Sequence, residues 1–184
     1  MKSGISVNSF HATTHQGFVY WASRDYLSPF TRDALLNATI VLIPHENFGD
    51  QALAVFPVNT AEFFRDLRES APHGVTVEIA AENSDYREVA LHSELMRLAT
   101  ILVKSIAAPI VVSLVSEFLK KRLGTRVSKS EVEMSLIVEE DSPECQRQLK
   151  FDYKGPAALF EQMLNSKVSE AFSKKNKLKQ NDAQ

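Results

Sequence analysis

The segment from His92 to Gly124 constrains the fold of this chain more than any other. It is apolar on nearly all sides, and between Leu98 and Ser116 it carries a single charge, Lys104. A helix with so little polar surface has to be covered by a sheet, by another protein or by lipid. The sequence therefore predicts one long apolar helix that packs on the rest of the fold.

Pro109 lies inside this segment and lacks the amide N–H that a helix interior requires. Polar residues recur at helical spacing on both sides of the proline. The step from Lys104 to Ser113 corresponds, however, to about 900° of rotation, which places the two polar faces half a turn apart. We therefore predict a helix that is kinked at Pro109, or two helices placed end to end.

Strands are predicted in five other parts of the chain. Three are mainly apolar runs, at residues 38–44, 52–58 and 75–81. Two more, at 131–140 and 147–155, alternate apolar and polar residues, which is typical of strands with one face in water. Because a short polar segment joins these last two, we expect them to form an antiparallel β-hairpin.

Signals for helix starts separate these strands. A serine followed by a proline predicts a helix from Ser28 to about Asn37. Asn59 and Glu62 have the spacing of a capping box at the start of a second helix. A last helix is predicted after Pro156.

These elements predict an α+β (mixed α/β) fold. It has a sheet of about five strands, a C-terminal antiparallel β-hairpin and one long Pro-kinked apolar helix packed on the sheet. Residues 1–17 are polar and are expected to be a flexible arm. Residues 18–172 are expected to form a single domain, and the lysine-rich residues 173–184 a basic disordered tail.

Composition excludes several classes of function. The net charge of −2 provides no general attraction to nucleic acid, and the basic tail has no interleaved aromatic residues, so no specific nucleic acid is expected. The single cysteine, Cys145, excludes an internal disulfide and a cysteine zinc cluster. No phosphate-binding glycine loop, nucleophile elbow or metal-binding histidine motif is present, so no cofactor or metal is predicted.

The loop after the first predicted strand carries the best group of chemically reactive side chains. His45, Glu46 and Asp50 follow strand 38–44, and loops at strand ends are where α/β proteins place ligands. A histidine beside two carboxylates has the groups for acid–base catalysis or for holding a metal. The same residue types are also common in exposed turns, so these three are weak catalytic candidates.

The excess of apolar helix surface over catalytic groups favours a non-catalytic interaction protein, such as an assembly subunit, a regulator or an immunity-type binding protein. It would contact a second copy or another protein through the long helix 92–124 and through the only tryptophan. The lack of an apolar signal segment near the start makes the cytoplasm the expected location. The predicted interface residues are Trp21, Leu98, Leu102, Ile106, Pro109, Ile110, Leu114 and Phe118.

Two alternatives remain open. In the first, the protein associates with membranes and inserts the helix 95–119; Lys104 and Pro109 argue against this. In the second, it is a hydrolase or a metal-dependent enzyme centred on the loop 45–50.

Overall fold

The protein is described by a computed structural model that covers residues 6–12, 16–45, 54–90, 95–140 and 147–181. Side chains are described within these ranges except for 7–12, 147 and 172–181. The helices are α1 (Phe18–Ala22), α2 (Pro29–Asn37), α3 (Thr60–Ser70), α4 (Ala108–Leu123) and α5 (Phe160–Asn181). The strands are β1 (Ser6–Ala12), β2 (Ile40–Ile43), β3 (Ala54–Pro57), β4 (Val77–Ile79), β5 (Tyr86–Val89), β6 (Met96–Arg97), β7 (Thr100–Lys104), β8 (Glu131–Glu140) and β9 (Arg147–Pro156).

One mixed sheet organises the fold, with strand order β1-β9-β8-β7-β2-β4 and with β6 also paired to β8. The pairs β2–β4 and β7–β8 are parallel, and the pairs β2–β7, β8–β9 and β1–β9 are antiparallel. A separate parallel pair is formed by β3 and β5. The predicted α+β class is therefore confirmed, and β8 and β9 pair antiparallel as expected; the residues that join them lie outside the described ranges.

Helices cover both faces of the main sheet. On one face, α3, α4 and α5 pack against alternate side chains of the central strands, including Leu42, Ile101 and Leu136. On the other face, α1 and α2 pack against the intervening side chains, including Leu102 and Ile137. This alternation follows from the two-residue period of a strand, and it explains why the central strands are apolar on both faces.

The single long helix predicted over 92–124 is wrong. Of the described residues 95–124, Thr100–Lys104 forms β7 between β2 and β8, and only Ala108–Leu123 is α-helix. A strand buried on both faces and a buried helix are both apolar on all sides, so periodicity does not separate them. The half-turn mismatch between the two polar faces marks this change from strand to helix.

Pro109 therefore does not kink a helix. It lies in the first turn of α4, directly after a 3₁₀ turn formed by Ser105–Ala107. At that position the missing N–H has no intrahelical partner to lose, and the fixed φ suits a helix start. Pro109 and the 3₁₀ turn thus set the point at which the chain leaves the sheet.

Both ends of the chain differ from their predictions. Ser6–Ala12, expected to be part of a flexible arm, forms β1 along the outer edge of β9. Its partner lies far away in sequence, so no local pattern indicates the pairing. The backbone of α5 is helical as far as Asn181, into the segment expected to be disordered. Lysine and glutamine are good helix formers, and they extend a helix that is already nucleated by its packed first turns.

Candidate functional site

Most of the predicted interface residues are buried in the core of the chain itself. Each of the following is at most 7% exposed: Trp21, Leu98, Leu102, Leu114 and Phe118. Leu102 is buried because it belongs to β7 in the central part of the sheet, and Leu98 is buried in the core between β6 and β7; neither lies on a surface helix. These five side chains offer no area to a partner in this structure.

The other three predicted interface residues lie together at the surface, where the chain passes from β7 into α4. Ile106 is 84% exposed, Pro109 is exposed and Ile110 is half-buried. Ile106 lies in the 3₁₀ turn, and Pro109 and Ile110 follow in the first turn of α4, so all three are at the start of this helix. We call these three residues the Ile106 surface.

The local sequence explains why Ile106 points outward. Ala107 and Ala108 are fully buried beneath the turn, and their small side chains allow the backbone to approach the sheet closely. Farther along α4, the inward positions are occupied by large apolar residues such as Phe118, whose ring centroid lies 4.8 Å from that of Phe63 on α3. The Ile106 surface therefore stands on a rigidly packed base.

Lys104 connects this region to the helices on the opposite face of the sheet. Its ammonium group donates to the carbonyl oxygen of Leu36 at 3.5 Å and lies 5.4 Å from the ring centroid of Phe18. The side chain of Leu36 is itself 46% exposed. Lys104, which precedes the 3₁₀ turn, thus contacts the backbone of Leu36, a further residue with an exposed apolar side chain.

Of the three weak catalytic candidates, His45 is described, while Glu46 and Asp50 lie outside the described residues. The backbone N–H of His45 donates to the carbonyl oxygen of Val55 at 2.9 Å, which fixes its position beside β3. His45 is exposed, but surrounding protein atoms displace part of the hydration of its imidazole, and this lowers the pKa of the ring. The Arg97 guanidinium lowers the pKa further, and the Glu133 carboxylate opposes the shift. The imidazole is therefore neutral at pH 7.

Arg97 and Glu133 form an ion pair beside His45, with 3.0 Å between Nε and Oε2. Residue 96 pairs with 132 on β8, whereas 101 pairs with 136, so the strand that contains Arg97 has one extra residue between these points. This is a β-bulge, a feature that bends a strand and redirects its side chains. Within the described part of the chain, the terminal nitrogens of Arg97 have no hydrogen-bond partner.

Arg97 also lines a small crevice of about 100 Å³. The crevice lies at the carboxyl ends of the parallel strands β3 and β5, and its walls are formed by residues 57–59, Val89 and 95–97. We call it the Arg97 crevice. Ligands of open α/β sheets commonly bind outside the carboxyl ends of parallel strands.

The start of α3 forms the rim of the Arg97 crevice, and it is not capped as the sequence predicts. Asn59 adopts a left-handed backbone conformation with φ of 71°, and its side chain makes no cap hydrogen bond. Instead, the carboxylate of Glu88 accepts from the backbone N–H groups of Asn59 and Ala61, each at 2.8 Å. Burial alone would raise the pKa of Glu88, but these bonds and one from the Tyr86 hydroxyl outweigh it and hold the pKa below its usual value.

The sequence does not indicate the Arg97–Glu133 pair, because residue 97 lies in the segment 92–124 that is predicted to be helical. The signal that was present is the alternation in β8, which puts Glu133 on the wet side of its strand. No family model, characterised protein or solved structure matches the chain.

None of the helices that the structure describes has the length and apolarity needed to cross a membrane. In particular, the helix predicted to insert, 95–119, is replaced in its first part by β6 and β7. Among the described side chains, which exclude residues 46–53, no three His, Cys, Asp or Glu residues cluster as metal ligands would.

Proposed function

We propose that the protein is a non-catalytic interaction component that binds another protein chain through the Ile106 surface. The observation that carries this proposal is the 84% exposure of Ile106 on a structured turn. Burying an isoleucine side chain completely stabilises a complex by roughly 1.5–3 kcal/mol. A single exposed aliphatic residue is ordinary, but here Pro109 and Ile110 extend the same apolar surface.

The rigid base of this surface supports the proposal. Residues such as Val112 and Val115, on the inward face of α4, are fully buried against the sheet. Binding would therefore order few additional groups, which lowers the entropic cost of association.

The opposite end of α4 provides an informative contrast. Its last turn is basic, and it pairs with acidic residues of neighbouring helices: Lys120 with Glu161, Lys121 with Asp66 and Arg122 with Glu62. That end is engaged in contacts within the chain, so the apolar start of α4 is the end that remains open to a partner.

A photo-crosslinking amino acid placed at Ile106 in the full chain, in cells that produce it, tests the proposal. Phe30 on α2 is the matched control position, because it is an apolar residue of nearly equal exposure at 85%. We expect a discrete adduct from position 106 only, and its mass then distinguishes a second copy of the chain from a different protein. The proposal is wrong if position 106 gives no adduct, or if position 30 gives the same ones.

The enzyme alternative is favoured by one feature, the lowered pKa of His45, which burial and the charge of Arg97 produce and Glu133 opposes. A neutral ring accepts a proton, as a general base must. Replacing His45, Glu46 and Asp50 together by alanine tests this alternative, and an unchanged cellular phenotype would exclude it.

A further inference from the structure

We infer that the Arg97 crevice binds a small aliphatic carboxylate, either a free short-chain acid or the C-terminal residue of a peptide. This inference is independent of the Ile106 surface. It rests on three features of the crevice: an oriented guanidinium, several aliphatic side chains among its otherwise polar lining, and a position at the ends of parallel strands.

The orientation of the guanidinium comes from Glu133. The Glu133 carboxylate accepts a hydrogen bond from Nε–H of Arg97 at 3.0 Å. The two terminal nitrogens of the guanidinium therefore remain available as a fork of donors. A fork of N–H donors matches the two oxygens of a carboxylate, and such paired bonds are among the stronger polar contacts in proteins. The bulge before β7 helps to hold Arg97 at the crevice, because it re-aims this strand.

The aliphatic side chains that line the crevice favour a ligand whose carboxylate carries an aliphatic group. Val58, Val89, Leu95 and Met96 line the crevice together with Arg97, and Val58 is 46% exposed. The space of about 100 Å³ accommodates a ligand fragment of a few heavy atoms. An aliphatic group of that size would cover these side chains while its acid group meets the guanidinium.

Other charged groups near the crevice limit the charge of the anion that it can bind. The amide N–H groups at the start of α3 are already occupied by the Glu88 carboxylate, so they do not bind the ligand. A second guanidinium lies near the crevice, because Nη2 of Arg122 donates to Oδ1 of Asn59 at 3.1 Å, but Arg122 is also paired with Glu62. With Glu88 and Glu133 close by as well, the local charge disfavours a multiply charged anion such as phosphate. A singly charged acid with an apolar tail suits this balance.

Methionine methyl groups provide the assay. In protein labelled at the methionine methyls with ¹³C, Met96 reports on the crevice, while Met134, which is 3% exposed, and Met163 on α5 serve as internal controls. The probes are isovalerate, N-acetyl-glycyl-leucine and the C-terminal amide of that peptide. We expect the Met96 signal to shift with the two acids and not with the amide.

Variants then assign the effect to the guanidinium fork. Arg97→Gln should weaken binding by about tenfold or more, and Arg97→Lys should also weaken it because the charge is kept but the fork is lost. Arg126→Gln, which removes an exposed arginine that does not line the crevice, should change affinity by less than about twofold. The Met134 signal shows whether each variant is folded, and Arg97→Lys carries the test if Arg97→Gln is not.

The relative affinity of the two acids identifies the source. Equal binding points to a free short-chain acid, and tighter binding of the peptide points to a C-terminal residue. The inference is overturned if the Met96 signal is unmoved by both acids, if the amide binds as well as the acid, or if Arg126→Gln weakens binding as much as Arg97→Gln.

Discussion

Gly17 is a glycine because of a side chain that lies against it, and this can be tested quantitatively. Its φ and ψ of −84° and −166° describe extended backbone that alanine adopts without strain. A Cβ at this position, however, would lie 1.8 Å from Oε2 of Glu139 and 2.5 Å from Nε2 of Gln148. The substitution Gly17→Ala therefore displaces the Glu139 carboxylate.

The cost follows from the bonds that this carboxylate makes. Oε2 of Glu139 accepts from the backbone N–H of Phe18, the first residue of α1, at 3.2 Å, and from Nε2 of Gln148 at 2.9 Å. Hydrogen bonds to charged groups contribute about 1.5–3 kcal/mol when fully formed. Since both bonds are only partly buried, losing them together should cost about 2 kcal/mol. The lower flexibility of alanine in the unfolded chain offsets roughly 0.4–1 kcal/mol of this. We expect the free energy of unfolding to fall by about 1–1.5 kcal/mol.

A double-mutant cycle isolates this mechanism. Unfolding by urea is followed through the fluorescence of Trp21, the only tryptophan, which is 2% exposed. In the Glu139→Ala background the displaced carboxylate is absent, so Gly17→Ala should cost less than about 0.5 kcal/mol. If Gly17→Ala costs the same in both backgrounds, the contact with Glu139 is not the reason for the glycine.

Three further substitutions test the packing, the helix start and the cap described above. Phe118→Ala should lower the free energy of unfolding by about 3–5 kcal/mol, because the ring is buried against Phe63; a loss below about 1 kcal/mol in urea denaturation would contradict this packing. Pro109→Ala should cost less than about 1 kcal/mol and leave the far-ultraviolet circular dichroism unchanged, because the proline starts α4 and does not bend it. Glu88→Gln should cost about 0.5–2 kcal/mol by weakening the cap of α3. The pKa of Glu88 is lower in the folded state than in the unfolded state. Its contribution to stability is therefore fully present above the unfolded pKa of about 4.5, and it is lost as the pH falls through the folded pKa. The difference in the free energy of unfolding between wild type and Glu88→Gln should shrink from pH 6 to pH 3, as measured by urea denaturation at each pH.

The parts of the fold that the sequence predicts well are those with a clear local signal. Ser28 before α2 and Pro29 at its first position predict the start of this helix, and Ser28 Oγ indeed accepts from the N–H of Thr31 at 3.2 Å. The alternation in β8 predicts one buried face, and Val132, Met134 and Leu136 are buried as expected; the other face is not in water as predicted, because Ile137 on that face is also buried, beneath α1 and α2. Each of these signals is contained within a few neighbouring residues, so the element can be predicted without knowledge of the rest of the fold.

The parts that the sequence does not predict depend on partners far away in the chain. β5 is short and polar, and it becomes a strand because β3 lies beside it. The Asn59 and Glu62 spacing suggests a capping box, yet Glu88 occupies the amide groups and Glu62 pairs with Arg122. The Arg97 crevice is equally invisible, because its walls come from three separate strands or strand ends.

The position of β1 has a consequence for how the chain assembles. Ser6 pairs with Lys154 and Ala12 with Gln148. β1 can therefore pair only after β9 has been translated, roughly 140 residues later. At typical synthesis rates of about 5–20 residues per second, this delay lasts on the order of ten seconds. During that interval β2, β4 and β7 have time to pair with one another, whereas β8 and β9 are translated only at its end. The edge strand β1 therefore joins the sheet only after β9 has been made, although it is translated first.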